Sequence, residues 1–141
     1  MNHMITQPDA GPTPPLALLV IDDESGLRDM LSHTFTRRGW KVTAVESGEK
    51  GVAAAREEDF DVVLCDVMMP GMDGIAVLEI LKRERPHVEV VMVTGFPSVE
   101  TGKRAGELGA YAYLAKPYEL TPLFALLQKA AELKRRLEAR P

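Results

Sequence analysis

Five short apolar runs alternate with five stretches of helical periodicity, and that alternation limits the fold more than any other feature of the chain. The runs are 16–21 (LALLVI), 40–45, 62–65, 88–93 and 110–114, the second weaker and more polar than the rest. Ser25 to Arg38 carries Leu27, Met30, Leu31, Thr34 and Phe35 at helical spacing and stops at Gly39. Ser47 caps a short helix through Ala53 to Ala55. Met69 to Gly74 reads as a turn, with Asp73 capping a helix that carries Ile75, Leu78 and Leu81 on one face. Ser98 opens a helix containing Gly102 and Gly106, and Gly109 ends it. Thr121 caps the last helix, with Pro122 at its first position, and that helix runs to about Ala139.

A strand followed by a helix, five times over, argues for a parallel sheet with helices on both faces. Strands buried on both faces read as unbroken apolar runs, as the first, third and fourth do here. The right-handed rule for crossovers leaves few topologies, and the expected fold is α/β, a flavodoxin-like doubly wound five-stranded parallel sheet of order 2-1-3-4-5 with five helices. The expected organisation is a flexible tail over residues 1–15, rich in Pro and Gly, one domain over 16–135, and the end of an extended C-terminal helix over 136–141. Lysines and arginines number 17 against 21 acids, a net charge of −4, which argues against direct nucleic-acid binding and against a membrane surface. One cysteine leaves no internal disulfide, no apolar run is long enough to span a membrane, and no secretory signal is visible. The expected location is therefore the cytoplasm.

The chemistry-bearing residues sit where the strands end. The first run ends in Asp22-Asp23, the third in Asp66 and the fourth in Thr94, and the fifth is followed by Lys116-Pro117. In a doubly wound sheet, ligands bind beyond these ends where the strand order reverses, which here falls between strands one and three. Asp22, Asp23 and Asp66 then converge on one crevice. Three carboxylates repel one another strongly in a partly desolvated site, and a hard divalent cation relieves that repulsion. Mg²⁺ suits a few carboxylates that leave it several waters and room for a phosphate oxygen. An ionised aspartate can act as a nucleophile and form an aspartyl-phosphate. Phosphoryl transfer needs mainly positioning and neutralisation of the equatorial oxygens, for which the cation, the Lys116 ammonium and the Thr94 hydroxyl are suited.

The segments VIDDE (20–24), LCDVMMPGMDGI (64–75), VMVTG (91–95) and AYAYLAKPY (110–118) resemble the signature segments of response-regulator receiver domains of two-component signalling, of the chemotaxis-receiver type. The likeness covers about residues 16 to 135. It implies that Asp66 is the phosphoacceptor and that Lys116 pairs with the phosphoryl group. It implies that Asp23, Asp66 and the Met68 backbone carbonyl bind the metal directly, with Asp22 acting partly through water. Thr94 and Tyr113 resemble the family's switch pair, and the Lys116-Pro117 bond resembles one that is cis. Met68 and Phe96 fall on the two positions that tune the lifetime of the phosphoryl group. The partners implied are a histidine kinase or histidine phosphotransfer protein, and a downstream protein or missing output domain. No catalytic turnover of a separate substrate is implied.

Blander readings stand beside these. Asp22-Asp23 can simply cap the first helix, and Lys116 can be a solvated charge. Cys65 reads as a core residue pointing away from Asp66. His3, His33 and His87 lack metal-ligand spacing. Lys134-Arg135-Arg136 reads as the wet face of a helix. The second half of the last helix, past about Ala131, is expected either to overhang, as a linker helix or a homodimer contact, or to form a frayed or self-covered end. Two other functions compete. An aspartyl-phosphate phosphatase resembles a pattern with a second acid two residues after the nucleophile, and Met68 occupies that position. A receiver-like interaction module that takes no phosphate usually lacks an acid, the lysine or the hydroxyl, and none is missing here.

Overall fold

The computed structural model describes residues 14–139. The order is β1 (Ala17–Ile21), α1 (Ser25–Arg37), β2 (Lys41–Val45), α2 (Gly48–Glu57), β3 (Val62–Asp66), α3 (Gly74–Glu84), β4 (Glu89–Thr94), α4 (Val99–Glu107), β5 (Ala112–Ala115) and α5 (Leu120–Ala139). The strands form one parallel sheet of order β2-β1-β3-β4-β5. Most of the expected tail, residues 1–13, lies outside the described residues, as do 140 and 141 at the far end.

Strand alternation divides the core into two layers. Leu19, Ile21, Val63, Cys65, Val90 and Met92 face α2, α3 and α4, where Val52, Val77, Leu78, Leu81 and Ala105 meet them. Leu18, Val20, Val62, Leu64, Val91 and Val93 face α1 and α5, meeting Leu31, Phe35, Leu123 and Leu127. Each such aliphatic side chain contributes about 1.5–3 kcal/mol by leaving water. Strands β3 and β4 are therefore buried along their whole length, whereas edge strand β2 is only half-buried.

Local chemistry sets the helix ends. Ser47 Oγ accepts from Lys50 N at 3.2 Å, Asp73 Oδ1 from Ala76 N at 2.9 Å, and Ser98 Oγ from Thr101 N at 3.1 Å. Gly39 and Gly109, at φ of 89° and 92°, follow α1 and α4 in a conformation that side-chain-bearing residues rarely adopt. Two expected starts shift by two residues. Strand β5 starts at Ala112, and α5 starts at Leu120, so Thr121 and Pro122 lie inside its first turn and Thr121 is not its cap.

The far half of α5 corrects the expected wet face and takes the self-covered form among those expected for the helix end. Lys134 is only 2% exposed, and Ala131 is buried too, so this stretch does not hang free. Lys134 Nζ reaches Asp59 at 3.1 Å, Asp61 at 3.4 Å and Glu138 at 2.7 Å. Arg135 grips Asp61 with two nitrogens, each at 3.1 Å, and donates to the Pro14 and Pro15 carbonyls. Asp61 also accepts from Ala17 N at 2.8 Å. Of the expected wet face, only Arg136 is exposed. The sequence showed three cations but not the two aspartates before β3 that would draw them in.

Candidate phosphoryl-transfer site

Sheet order decides which strand ends meet. β1 lies directly beside β3, so Asp22, just past Ile21, comes next to Asp66, the last residue of β3. One carboxylate oxygen from each of Asp22, Asp23 and Asp66 lies within 4.8 Å of the others. Asp22 and Asp66 are buried, at 3% and 6% exposure, and Asp23 is exposed. Three gathered oxygen donors of this kind fit a hard divalent cation that keeps part of its water shell.

Lys116 follows β5 and crosses the strand ends to reach them. Its Nζ donates to Asp22 Oδ2 at 2.9 Å and to Asp66 Oδ2 at 3.0 Å. Its backbone N–H donates to the Thr94 carbonyl at 2.8 Å, which ties its root to β4. The Lys116-Pro117 peptide is cis. Burial opposes the Lys116 charge, but the hydrogen bonds and charges of Asp22 and Asp66 outweigh it and hold the ammonium above its ordinary range. Burial also raises the Asp66 carboxyl above its usual value; Lys116 pulls it back down only in part, and Asp22 adds to the rise. Asp66 Oδ1 further accepts from Met68 N at 3.3 Å.

The blander reading of the acid pair fails. Residue Glu24 stands at the N-cap of α1, with no side-chain cap bond, and Asp22 Oδ1 accepts from Glu24 N rather than from the first helical turn. Arg28 donates to the Asp22 carbonyl at 2.9 Å and steadies the turn. Neither Arg28 nor Gly74 was singled out by sequence reasoning. A side chain at Gly74 would overlap the Asp66 carbonyl oxygen, so only glycine lets α3 start this close to β3. Arg28 lies one turn into a helix after two acids, which is a visible but common pattern.

Thr94 is buried, and its Oγ1 accepts from Phe96 N at 3.1 Å. Tyr113 is half-buried, and its hydroxyl accepts from Ser98 N at 3.1 Å. The two hydroxyls therefore hold the same segment between β4 and α4, at amides two residues apart. Met68 and Phe96 are 56% and 76% exposed and line one cavity of about 480 Å³ with Asp73 and Thr101. Cys65 lies in the layer facing α2 to α4, and burial, followed by the charge of Asp66, pushes its thiol well above the usual range. Among the described residues, no histidine joins a group with metal-ligand geometry.

The family model for the response regulator receiver domain matches residues 18–128. This chain belongs to that family. It is 40% identical over 113 residues to the transcriptional regulatory protein ZraR of Escherichia coli K12, covering 80% of this chain and 26% of that protein. It is 34% identical over 111 residues to the DNA-binding transcriptional regulator NtrC of Proteus hauseri, covering 79% of this chain and 24% of that protein. The receiver thus spans about a quarter of the length of these relatives. Among solved structures, the chemotaxis protein CheY4 of Vibrio cholerae superposes with a TM-score of 0.78 at 29% identity, covering 82% of this chain and 98% of that one. A CheY-like receiver domain from Methanospirillum hungatei gives 0.84 at 26% identity, covering 86% and 98%. These neighbours share the doubly wound receiver fold, and the family places the chain in two-component signal transduction. Among the described residues, no helix is long and apolar enough to cross a membrane.

Proposed function

We propose that this receiver accepts a phosphoryl group on Asp66 from a phosphohistidine, in a Mg²⁺-dependent reaction, and thereby switches its binding to a partner. The observation that carries this reading is Lys116 Nζ shared between Asp22 and Asp66, at 2.9 and 3.0 Å, within reach of the three-carboxylate cluster. Asp22, Asp23 and Asp66, with the Met68 carbonyl, would hold the Mg²⁺ ion, which when bound neutralises charge on the phosphoryl oxygens. An Asp66 carboxylate oxygen attacks phosphorus in line. The new P–O bond forms as the P–N bond breaks, and the electron pair returns to the donor imidazole. Lys116 keeps Asp66 ionised in the resting state and then turns to a phosphoryl oxygen. The Thr94 hydroxyl takes a second oxygen, giving up its bond to Phe96 N. Movement at Thr94 frees the segment that Tyr113 also holds through Ser98 N, so the two form the switch that passes the charge change to α4.

On this reading the protein is a signalling switch that acts only on its own aspartate. Its domain covers residues 16–135, and it works in the cytoplasm. A histidine kinase or phosphotransfer protein supplies the phosphoryl group. The likeness to transcriptional regulators about three times as long supports an output that lies outside the described domain, with a homodimer as one form of readout. The test is intact mass after incubation with Mg²⁺ and acetyl phosphate, with Asp66→Asn as control. The expected result is a gain of one phosphoryl group that needs both Mg²⁺ and Asp66. Failure to gain it, with no binding of beryllofluoride, would leave a phosphate-independent interaction module.

A further inference from the structure

The residues that lead into β1 are tied down by one side chain. Pro14 and Pro15 are exposed and, as prolines, bring no backbone N–H. Among the described residues their carbonyls accept only from Arg135, which reaches Pro14 with Nη1 and Pro15 with Nη2, each at 2.8 Å. The same guanidinium grips Asp61 with Nε and Nη2, each at 3.1 Å. Asp61 Oδ2 in turn accepts from Ala17 N at 2.8 Å, two residues beyond Pro15. The contacts close a ring, from the chain at 14–17 through Asp61 to Arg135 and back to the chain. An arginine suits this place because its planar fork presents five donors to acceptors on different sides, where a lysine presents three from one point.

This segment can come away without breaking the sheet. The β1–β2 ladder begins at Ala17 and Lys41, so residues 14 and 15 lie outside it. Pro14, Pro15 and Arg135 are common to two clefts, one of about 570 Å³ that Trp40 and Arg136 also line, and one of about 670 Å³ that Asp61 and Lys134 also line. Open space therefore lies on both sides of the segment. We propose that residues 14–15 form a strap that couples the approach to β1 to the far half of α5 through Arg135. With the strap seated, the guanidinium makes four hydrogen bonds and holds the last turns of α5 down. With the strap lifted, it keeps Asp61 alone, and those turns loosen while the sheet stays folded. A pull on the segment ahead of β1 is then felt at α5. Asp61 precedes β3 and Asp66 ends it, so this input arrives at the opposite end of the sheet from the phosphoryl site and does not pass through it.

The experiment is amide hydrogen exchange on the full chain, comparing wild type, Arg135→Lys, the double variant Pro14→Gly with Pro15→Gly, and Arg136→Lys. Arg135→Lys keeps a charge for Asp61 and loses the fork. The double variant leaves α5 untouched and loosens the strap, because glycine lacks the fixed φ of proline. Arg135→Lys is expected to speed exchange at Ala17 and over 134–139 by about tenfold, the loss of hydrogen bonds from a charged donor. The double variant is expected to speed both places by a smaller factor. The β3 amides, 62–66, are expected to exchange as in wild type throughout. Arg136 is exposed, and Arg136→Lys is expected to change nothing. Exchange over 134–139 that is unmoved in the double variant overturns the coupling. Unchanged exchange at Ala17 in Arg135→Lys overturns the hold of Arg135 on the strap. Acceleration of 62–66 along with the rest overturns the strap as a separate element, since the whole domain would then be opening. An equal effect of Arg136→Lys overturns it as a general response of this stretch of helix.

Discussion

A methyl group built at Gly102 would meet two ring carbons of Tyr113 at 3.2 and 3.3 Å, so the backbone of α4 is the surface on which that ring lies. Gly106, one turn later, meets nothing within 4 Å. The two glycines therefore do different work, although both weaken the helix by about 1 kcal/mol relative to alanine. Gly106→Ala is expected to stabilise the protein by up to about 1 kcal/mol in urea denaturation. Gly102→Ala gains less, because the ring must move by a few tenths of an ångström. It is also expected to shift the Ser98 amide resonance, since the Tyr113 hydroxyl accepts from that N–H. Equal gains in stability with an unmoved Ser98 amide would rule out this difference.

Met68 and Phe96 project from the two loops that flank Asp66, and neither offers a group that can orient water. On the proposed transfer to Asp66, slow self-dephosphorylation is the expected outcome. Met68→Asn and Phe96→Glu each place a polar group beside the path of an attacking water, and each is expected to shorten the phosphoryl lifetime several-fold. The check is the decay of phosphorylated protein by intact mass after the donor is removed. The same rate in wild type and both variants would refute the role of these positions.

The sheet and its order were legible because each central strand is an unbroken apolar run and each helix carries its own stop signal. Asp66, Lys116 and the acid pair were legible because they recur at strand ends, where this architecture collects ligands. What stayed hidden depends on partners far apart in the chain. Lys134 looked like a solvated cation because Asp59 and Asp61 lie over seventy residues away. Gly102 looked like a helix-weakening residue because nothing in its neighbourhood names Tyr113. The start of α5 at Leu120 was missed because Thr121-Pro122 is a common capping pattern that here falls one residue inside the helix.

Asp61 is the hub of the network beneath the sheet, with Lys134, Arg135 and Ala17 N all turned to it. Asp59 shares Lys134 but has a side chain that is 67% exposed. Removing a buried acid that satisfies several donors leaves them unpaired, whereas removing an exposed partner changes little. Asp61→Ala is expected to cost about 3 kcal/mol in urea denaturation, and Asp59→Ala at most about 1 kcal/mol. A similar cost for both would show that Asp61 is not the hub.

Glu89 opens β4 with its side chain buried, and its only nearby cation among the described ion pairs, Lys82, is 4.0 Å away. Lys82 is meanwhile occupied by the Pro86 and Val88 carbonyls, each at 2.9 Å. Burial raises the Glu89 carboxyl above its ordinary value, and the charges of Lys82 and His87 recover only part of the loss. The unfolded chain then releases this proton at a lower pH than the folded one. Stability conferred by the protonated form is complete below the ordinary value of 4.5, falls as pH rises toward the folded value, and stays reduced above it. Glu89→Gln removes the charge and keeps the shape, and Lys82 keeps its carbonyl partners. The variant is expected to melt above wild type at pH 7, with the gap closing as the pH falls below 4.5. Thermal melts of both proteins across that range decide it, and a variant that melts below wild type at pH 7 would mean the distant Lys82 contact outweighs the burial of the charge.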